Sequence, residues 1–253
     1  MIRTNVYQTT DVRKLTLQKG CFSVLEYDRD ISVGPGSAQS AYFAAKMGLK
    51  RRQLLAGLNG NGIIMQAGAM QIISGNIQAG TNVKGVGDFF KKAISAKVTN
   101  ESAIKPYYTG YGTILFEPTY KYILLVDLSE WGGFVTIEDG LFLAAMDSVN
   151  LSVTARSNVS SALLGGEGLF NTALNGTGIV ALESPVPYEE LLIFDLDNDC
   201  LKIDGNMAIA WSSGLQFTVE RTTKTLLGSA ASGEGLVNVY RGSGRVLVAP
   251  VAK

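Results

Sequence analysis

The chain contains no histidine among its 253 residues. This absence excludes Ser-His-Asp and Cys-His nucleophilic sites, histidine zinc sites and the side chain that most often transfers protons near neutral pH. The two cysteines, Cys21 and Cys200, lie far apart and have no metal-ligand spacing. We expect both to be free and buried in a reducing compartment. The sequence therefore predicts neither an enzyme nor a cofactor site.

The chain also lacks net charge and long apolar runs. Lys and Arg together number 22, as do Asp and Glu, so no overall field draws the protein to nucleic acid. The short basic run Lys50-Arg51-Arg52 is interpreted as solvated surface. No apolar run approaches the roughly 18 residues of a membrane-spanning helix, and the N-terminus lacks the apolar centre of a signal peptide. We expect a cytoplasmic protein without a transmembrane segment.

Glycine is abundant, with 29 residues, and one glycine pattern occurs three times. Gly110-Tyr111-Gly112, Gly176-Thr177-Gly178 and Gly242-Ser243-Gly244 each precede a short apolar run. Glycine tolerates positive φ, and the apolar runs are too short for helices, so each copy predicts a tight turn that opens into a buried strand. Successive copies start at a constant interval of about 66 residues, which we call the repeat period, and a fixed period predicts a repeat architecture.

The predicted fold is an all-β single domain spanning residues 1–253. It consists of three tandem β-repeats, each one repeat period long, because short apolar strands alternate with Gly, Asn and Asp turns throughout. An N-terminal extension of unknown role covers residues 1–52, and the repeat units cover residues 53–116, 117–182 and 183–248. Turns are predicted at residues 59–62 and 197–199, and short helices at residues 37–47 and 88–95, with Ser37 and Asp88 as N-caps.

Each unit carries a glutamate before its closing strands. These are Glu101, Glu167, which precedes Gly168, and Glu234, which precedes Gly235, and they follow the repeat period to within one residue. Facing a common axis, three carboxylates would suit Ca²⁺ or Mg²⁺. Alternatively, each carboxylate accepts hydrogen bonds from backbone N–H groups of its own turn. We favour the second interpretation, so no metal site is predicted.

The segment Asp195-Leu196-Asp197-Asn198-Asp199 begins like a calcium-binding loop, with acidic residues at alternate positions. The pattern then fails, because Cys200 stands where the loop needs glycine and Asn206 stands where it needs a bidentate glutamate. A polar hairpin turn between two strands is predicted instead.

Several of these phrases resemble a family formerly catalogued as a bacterial domain of unknown function and now named for its mitochondrial biogenesis (altered inheritance of mitochondria) members. The resemblance covers about residues 53–250. It is carried by Gly68-Ala69-Met70, Gly166-Glu167-Gly168-Leu169-Phe170, Gly176-Thr177-Gly178, Ala210-Trp211 and Gly233-Glu234-Gly235-Leu236. The resemblance implies a β-fold like that of the tryptophan RNA-binding attenuation protein (TRAP), with the three repeats around a pseudo-threefold axis. It implies no reaction.

Three functions follow from these observations. The leading hypothesis is a non-catalytic scaffold or interaction module that binds an unidentified protein partner or its own copies as a homo-oligomer, because repeat folds build broad surfaces. The first alternative is RNA binding by analogy with the TRAP fold, against which the zero net charge argues. The second is a carboxylate- and metal-dependent enzyme.

Overall fold

The computed structural model describes residues 2–81, 105–155, 170–221 and 236–251. The all-β prediction is confirmed, because fifteen strands and one α-helix make up the regular structure of these residues apart from the 3-10 turns Leu128–Trp131 and Tyr188–Glu190. In chain order the elements are β1 (Arg13–Lys19), β2 (Phe22–Tyr27), α1 (Ala38–Lys46), β3 (Arg52–Met65), β4 (Met70–Thr81), β5 (Pro106–Phe116), β6 (Tyr122–Asp127), β7 (Phe134–Ile137), β8 (Phe142–Met146), β9 (Val149–Ala155), β10 (Phe170–Gly176), β11 (Ile179–Ser184), β12 (Leu192–Asp204), β13 (Ala208–Ser212), β14 (Gln216–Arg221) and β15 (Leu236–Val248). The helix predicted at residues 88–95 lies outside the described residues.

The strands form two sheets with antiparallel pairing. One sheet has the order β1-β2-β3-β8-β11-β6, with β5 added to β3 and β4 added to β5. The other has the order β12-β15-β13-β7-β10-β9, with β14 added to β15. The largest apolar cluster draws buried side chains from both sheets, among them Val180 and Leu182 of the first and Ile137 and Ile209 of the second. The sheets therefore bury a common core between them.

The helix predicted at residues 37–47 is confirmed as α1. The positive φ of Gly48, +82°, ends it as expected for a glycine beyond a helix terminus. The capping role predicted for Ser37 is wrong, because its hydroxyl donates to the carbonyl oxygen of Gly34 at 3.2 Å instead of accepting from the helix. None of the helix residues is buried, and Tyr42 and Phe43 are each more than half exposed.

The turns predicted at residues 59–62 and 197–199 are wrong. Strand β3 continues through the first segment and β12 through the second, and each strand carries an irregularity at that point. The pairing of β3 with β5 shifts between Asn59 and Gly62, and that of β12 with β15 shifts between Leu196 and Asp199. Inserted residues in one strand of a pair form a bulge and bend the strand, so the polar residues mark bends instead of chain reversals.

The glycine pattern lies at the same bends, on the strand that pairs with the bulged strand. Residues 110–112 and 242–244 lie inside β5 and β15, so the tight turns predicted there are wrong; only residues 176–178 form a connection, from β10 to β11. All six flanking glycines have φ between +116° and +157°. A side chain on Gly112 would collide with the carbonyl oxygen of Ser74 on the neighbouring strand. Glycine is required here because only a residue without Cβ allows this conformation and this approach.

We predict that Gly112→Ala lowers the free energy of unfolding by about 2 kcal/mol or more, since strain at positive φ and overpacking each cost about 1–3 kcal/mol. The matched control is Gly80→Ala on the adjacent strand β4, because Gly80 has no positive φ and a Cβ added to it would have no neighbour within 4 Å. The control should leave stability unchanged or raise it by up to about 1 kcal/mol. Urea denaturation followed by tryptophan fluorescence measures both, and equal effects would contradict this explanation of the glycine pattern.

Candidate functional site

The glutamates singled out from the sequence cannot be placed in the fold. Glu101, Glu167 and Glu234 lie outside the described residues, as do Gly168 and Gly235. Their hydrogen bonding to backbone donors therefore stays a prediction. Within the described ranges, no group of three or more Cys, Asp and Glu side chains is arranged to hold a metal ion.

The acidic segment at residues 195–199 is engaged in protein contacts. The guanidinium of Arg245 donates to both carboxylate oxygens of Asp195, with Nε–Oδ1 at 2.7 Å and Nη2–Oδ2 at 3.0 Å. These hydrogen bonds hold the pKa of Asp195 below its ordinary value. Asp199 Oδ1 accepts from the backbone N–H of Cys200 at 2.7 Å. The segment bulges out of β12 and binds across to β15, as a structural element of the sheet.

Both cysteines are free, as predicted. Cys21 is partly buried, and this burial raises the pKa of its thiol to about 11, which keeps it protonated at neutral pH. The prediction that both are buried is wrong for Cys200, which is exposed because it lies on β12, a strand with a neighbour on one side only among the described residues.

The basic run at residues 50–52 is neutralised by carboxylates. Lys50 Nζ lies 3.0 Å from Glu26 Oε1 and 2.9 Å from Asp28 Oδ1, and Arg52 Nε lies 2.9 Å from Glu26 Oε2. These contacts raise the pKa of Lys50 and lower that of Asp28. The run thus holds the start of β3 to the end of β2, and its charge is directed to internal partners.

A cavity of about 600 Å³ lies between β1 and β6. It contacts residues 16–19 of β1 and residues 122–126 of β6. Consecutive residues of a strand point to opposite faces of a sheet, so a cavity that meets five in a row faces the hydrogen-bonding edge of the strand. In the described part of the chain, β1 pairs only with β2 and β6 only with β11. We call this cavity the edge slot, because two unpaired strand edges border it.

The walls of the edge slot are mainly apolar. Val24, Ile123 and Leu247 are buried side chains that line it, and Leu17 and Ile193 are about half exposed at its mouth. Ligand pockets commonly have volumes of about 300–1,000 Å³ and apolar walls with a few polar groups. The edge slot has both properties and adds backbone donors and acceptors along two sides.

One end of the edge slot is closed by Arg52. Its guanidinium stacks on the ring of Tyr122, the first residue of β6, at 4.0 Å from the ring centroid, and binds Glu26 of β2. The side chain of Arg52 is only 7% exposed and that of Glu26 only 14%. This buried ion pair fixes the start of β6 against β2 and β3.

The opposite end of the edge slot is bridged at the surface. Lys19, the last residue of β1, lies 2.7 Å from Glu130, which follows the end of β6. The Lys19–Glu130 ion pair joins the end of β1 to the end of β6. Arg52 joins the start of β6 to Glu26, which pairs with Lys14 at the start of β1, so β1 and β6 run in the same direction along the slot. The site was not predicted from the sequence because one of its two bordering strands, β1, belongs to the N-terminal extension, to which no role was assigned.

No helix in the described ranges is long and apolar enough to span a membrane.

Fold and site together define a β-protein with an apolar slot bordered by two strand edges that are unpaired among the described residues. The chain belongs to the family described as Mitochondrial biogenesis AIM24, whose model matches residues 13–251. An uncharacterized protein of Streptococcus pyogenes serotype M6 is 27% identical over 198 residues, covering 75% of this chain and 77% of that protein. A structural-genomics crystal structure of a Streptococcus pyogenes protein covers 81% of this chain and 89% of its own, with a TM-score of 0.58 and 24% identity. The crystal structure supports the fold alone.

We predict that Glu26→Gln lowers the free energy of unfolding by about 3 kcal/mol, because it leaves the buried Arg52 guanidinium without its charge partner. Lys19→Met breaks the pair at the other end of the same slot, where Glu130 is 59% exposed, and should cost less than about 1 kcal/mol. Thermal and urea denaturation of the two variants measure the difference. Equal losses would show that Arg52 and Glu26 do not hold the slot.

Proposed function

We propose that this chain is a non-catalytic protein-interaction module whose edge slot binds an extended segment of a partner protein. The observation that carries the proposal is the cavity that faces two unpaired strand edges at once. A peptide strand laid in the slot would hydrogen-bond to the open edge of β1 or of β6, which is recognition by strand addition. Apolar walls would then select alternate side chains of the peptide.

The dimensions and charges of the slot fit such a segment. Residues 122–126 of β6 correspond to about 13 Å of extended chain between the first and last Cα, at roughly 3.3 Å per residue. The charged groups Lys19 and Arg52 stand at the two ends and already have carboxylate partners. A segment of about five residues with apolar side chains is therefore the best match, with its polar residues at the ends.

The repeat arrangement belongs to the same proposal. We infer three TRAP-like repeat units, at residues 53–116, 117–182 and 183–248, as the family resemblance implies. Recurrent pairings support it: Ile63 pairs with Tyr108, Val135 with Leu174 and Leu201 with Tyr240, and the three partners stand one repeat period apart. A scaffold of this kind carries its binding sites at the ends and edges of its units.

Selection of nine-residue peptides from a phage-displayed random library tests the function. Peptides with alternating apolar residues should be enriched on the wild-type protein and should bind it as synthetic peptides in fluorescence anisotropy. Leu17→Arg puts a charge at the mouth of the slot, where Leu17 is 48% exposed, and should weaken binding at least tenfold.

Ile31→Arg is the matched control, because Ile31 is 67% exposed and does not line the slot. It should bind the selected peptides like the wild type. Enrichment no greater than on an unrelated protein would contradict the proposal. So would selected peptides whose affinity is the same for Leu17→Arg and the wild type, or a small molecule found in the slot of the purified protein by native mass spectrometry.

A further inference from the structure

The two sheets contain the same short strand junction twice. Strand β3 pairs with β8 through Ile63–Met146, Ile64–Ala145 and Met65–Ala144. Strand β7 pairs with β13 through Val135–Ser212, Thr136–Trp211 and Ile137–Ala210. The β8 and β13 residues of these pairs stand one repeat period apart. Each junction joins one repeat unit to the unit that follows it in the chain.

The backbone hydrogen bonds beyond these pairs also agree. The N–H of Gln66 donates to the carbonyl oxygen of Leu143 at 2.8 Å, and the N–H of Glu138 donates to that of Ile209 at 3.0 Å. Leu143 and Ile209 are again separated by one repeat period. The two junctions therefore share one register over four residues, which random sheet pairing would not produce.

The same register identifies the residues that would form an equivalent junction between the third repeat unit and the first. On β12 they are residues 201–203, since Leu201 pairs with Tyr240 as Ile63 pairs with Tyr108. On β4 they are residues 72–74, since Ile73 pairs with Ile114 as Ala145 pairs with Val180. A bulge one residue earlier marks β4, as it marks β8 and β13.

A closed pseudo-threefold arrangement would need a third junction, between β12 and β4 of one chain, and the strand pairings of the described residues do not include it. Strand β4 pairs only with β5, and β12 only with β15, among the described residues. Ile72, which corresponds to the buried Ala144 and Ala210, is 53% exposed. Strand β12 is thirteen residues long, and a long strand edge with apolar side chains is a template for pairing with another chain.

We propose that β12 of one copy pairs antiparallel with β4 of a second copy, in the register of the two internal junctions. Leu201 then lies opposite Ser74 of the second copy, Lys202 opposite Ile73, and Ile203 opposite Ile72. The proposal deepens the function inferred above by naming a second copy of this chain as a partner. It uses residues 72–74 and 201–203, none of which lines the edge slot.

The assembly is head-to-tail. Each copy offers one β12 edge and one β4 edge, which are different surfaces, so the contact is heterologous and every copy has two neighbours or stands at an end. Such a contact produces a closed ring or an open filament, according to the rotation between copies. A junction between copies would have the geometry of the two internal junctions, because it would repeat strand pairings that the chain already makes twice.

Cysteine cross-linking tests the register. One tagged chain carries Ser74→Cys, a differently tagged chain carries Leu201→Cys, and both carry Cys200→Ser to remove the exposed native thiol. Residues directly opposite each other on paired strands have Cβ atoms within about 5.5 Å, which thiol oxidation or a short cross-linker spans. The mixture should form a cross-linked heterodimer, and Gly80→Cys in place of Ser74→Cys should not.

A single chain with both cysteines separates the alternatives. Head-to-tail pairing predicts a ladder of cross-linked multimers. An intramolecular disulfide in a monomer would overturn the proposal, because it would show that β4 and β12 meet within one chain. Peptide binding in the edge slot would survive that result, so the two proposals fail independently.

Light scattering after size exclusion provides a second readout. The wild type should have a mass that is a multiple of the monomer mass, and Ile72→Lys should reduce it to that of the monomer, because it places a charge in the junction at a side chain that the monomer leaves exposed. Leu49→Lys, at a position 55% exposed and distant in sequence from both strands, should leave the mass unchanged. A monomeric wild type at millimolar concentration would contradict the proposal.

Discussion

Positive φ at the glycine pairs, with close backbone approach at residues 110–112 and at Gly176, is the constraint on which the rest of the fold depends. At Gly112 the carbonyl oxygen of Ser74 occupies the space of a Cβ, and at Gly176 the carbonyl oxygen of Ser148 does so. The strands opposite residues 110–112 and 242–244 carry inserted residues, so both strands of each pair bend together. A bent strand has different neighbours along its two halves: β3 pairs with β2 first and with β8 afterwards. The bends therefore determine how one stretch of chain joins the next.

This way of joining strands also explains why edges remain open. The hairpin of β1 and β2 pairs with the first half of β3. Strand β6 occupies the equivalent place in the next unit, and its free edge borders the edge slot. The second half of β3 and the strand β7 are covered by β8 and β13, whereas β12 has no such cover in the described residues. Unpaired edges are a hazard that proteins normally block, and we propose that here they bind other chains.

The sequence predicted the composition of the fold better than its connections. The strand Phe134–Ile137 and the helix near residues 37–47 follow directly from apolar alternation and glycine stops. Asn59–Gly62 and the acidic segment of β12 were mistaken for turns, because a bulge and a turn favour the same residues and differ only in the strand opposite. The edge slot was not predictable, since its two strands are far apart in the chain and its definition depends on which edges stay unpaired.

Backbone amide exchange as a function of protein concentration tests most directly the claim that open strand edges bind other chains. The probes are those amides of residues 72–74 and 201–203 whose N–H groups point away from β5 and β15. The amides of the internal junction at residues 63–65 are the reference, since they are paired within the chain. Exchange at the probe amides should slow as concentration rises, while the reference amides stay protected throughout. Exchange at the probes that is independent of concentration would contradict it.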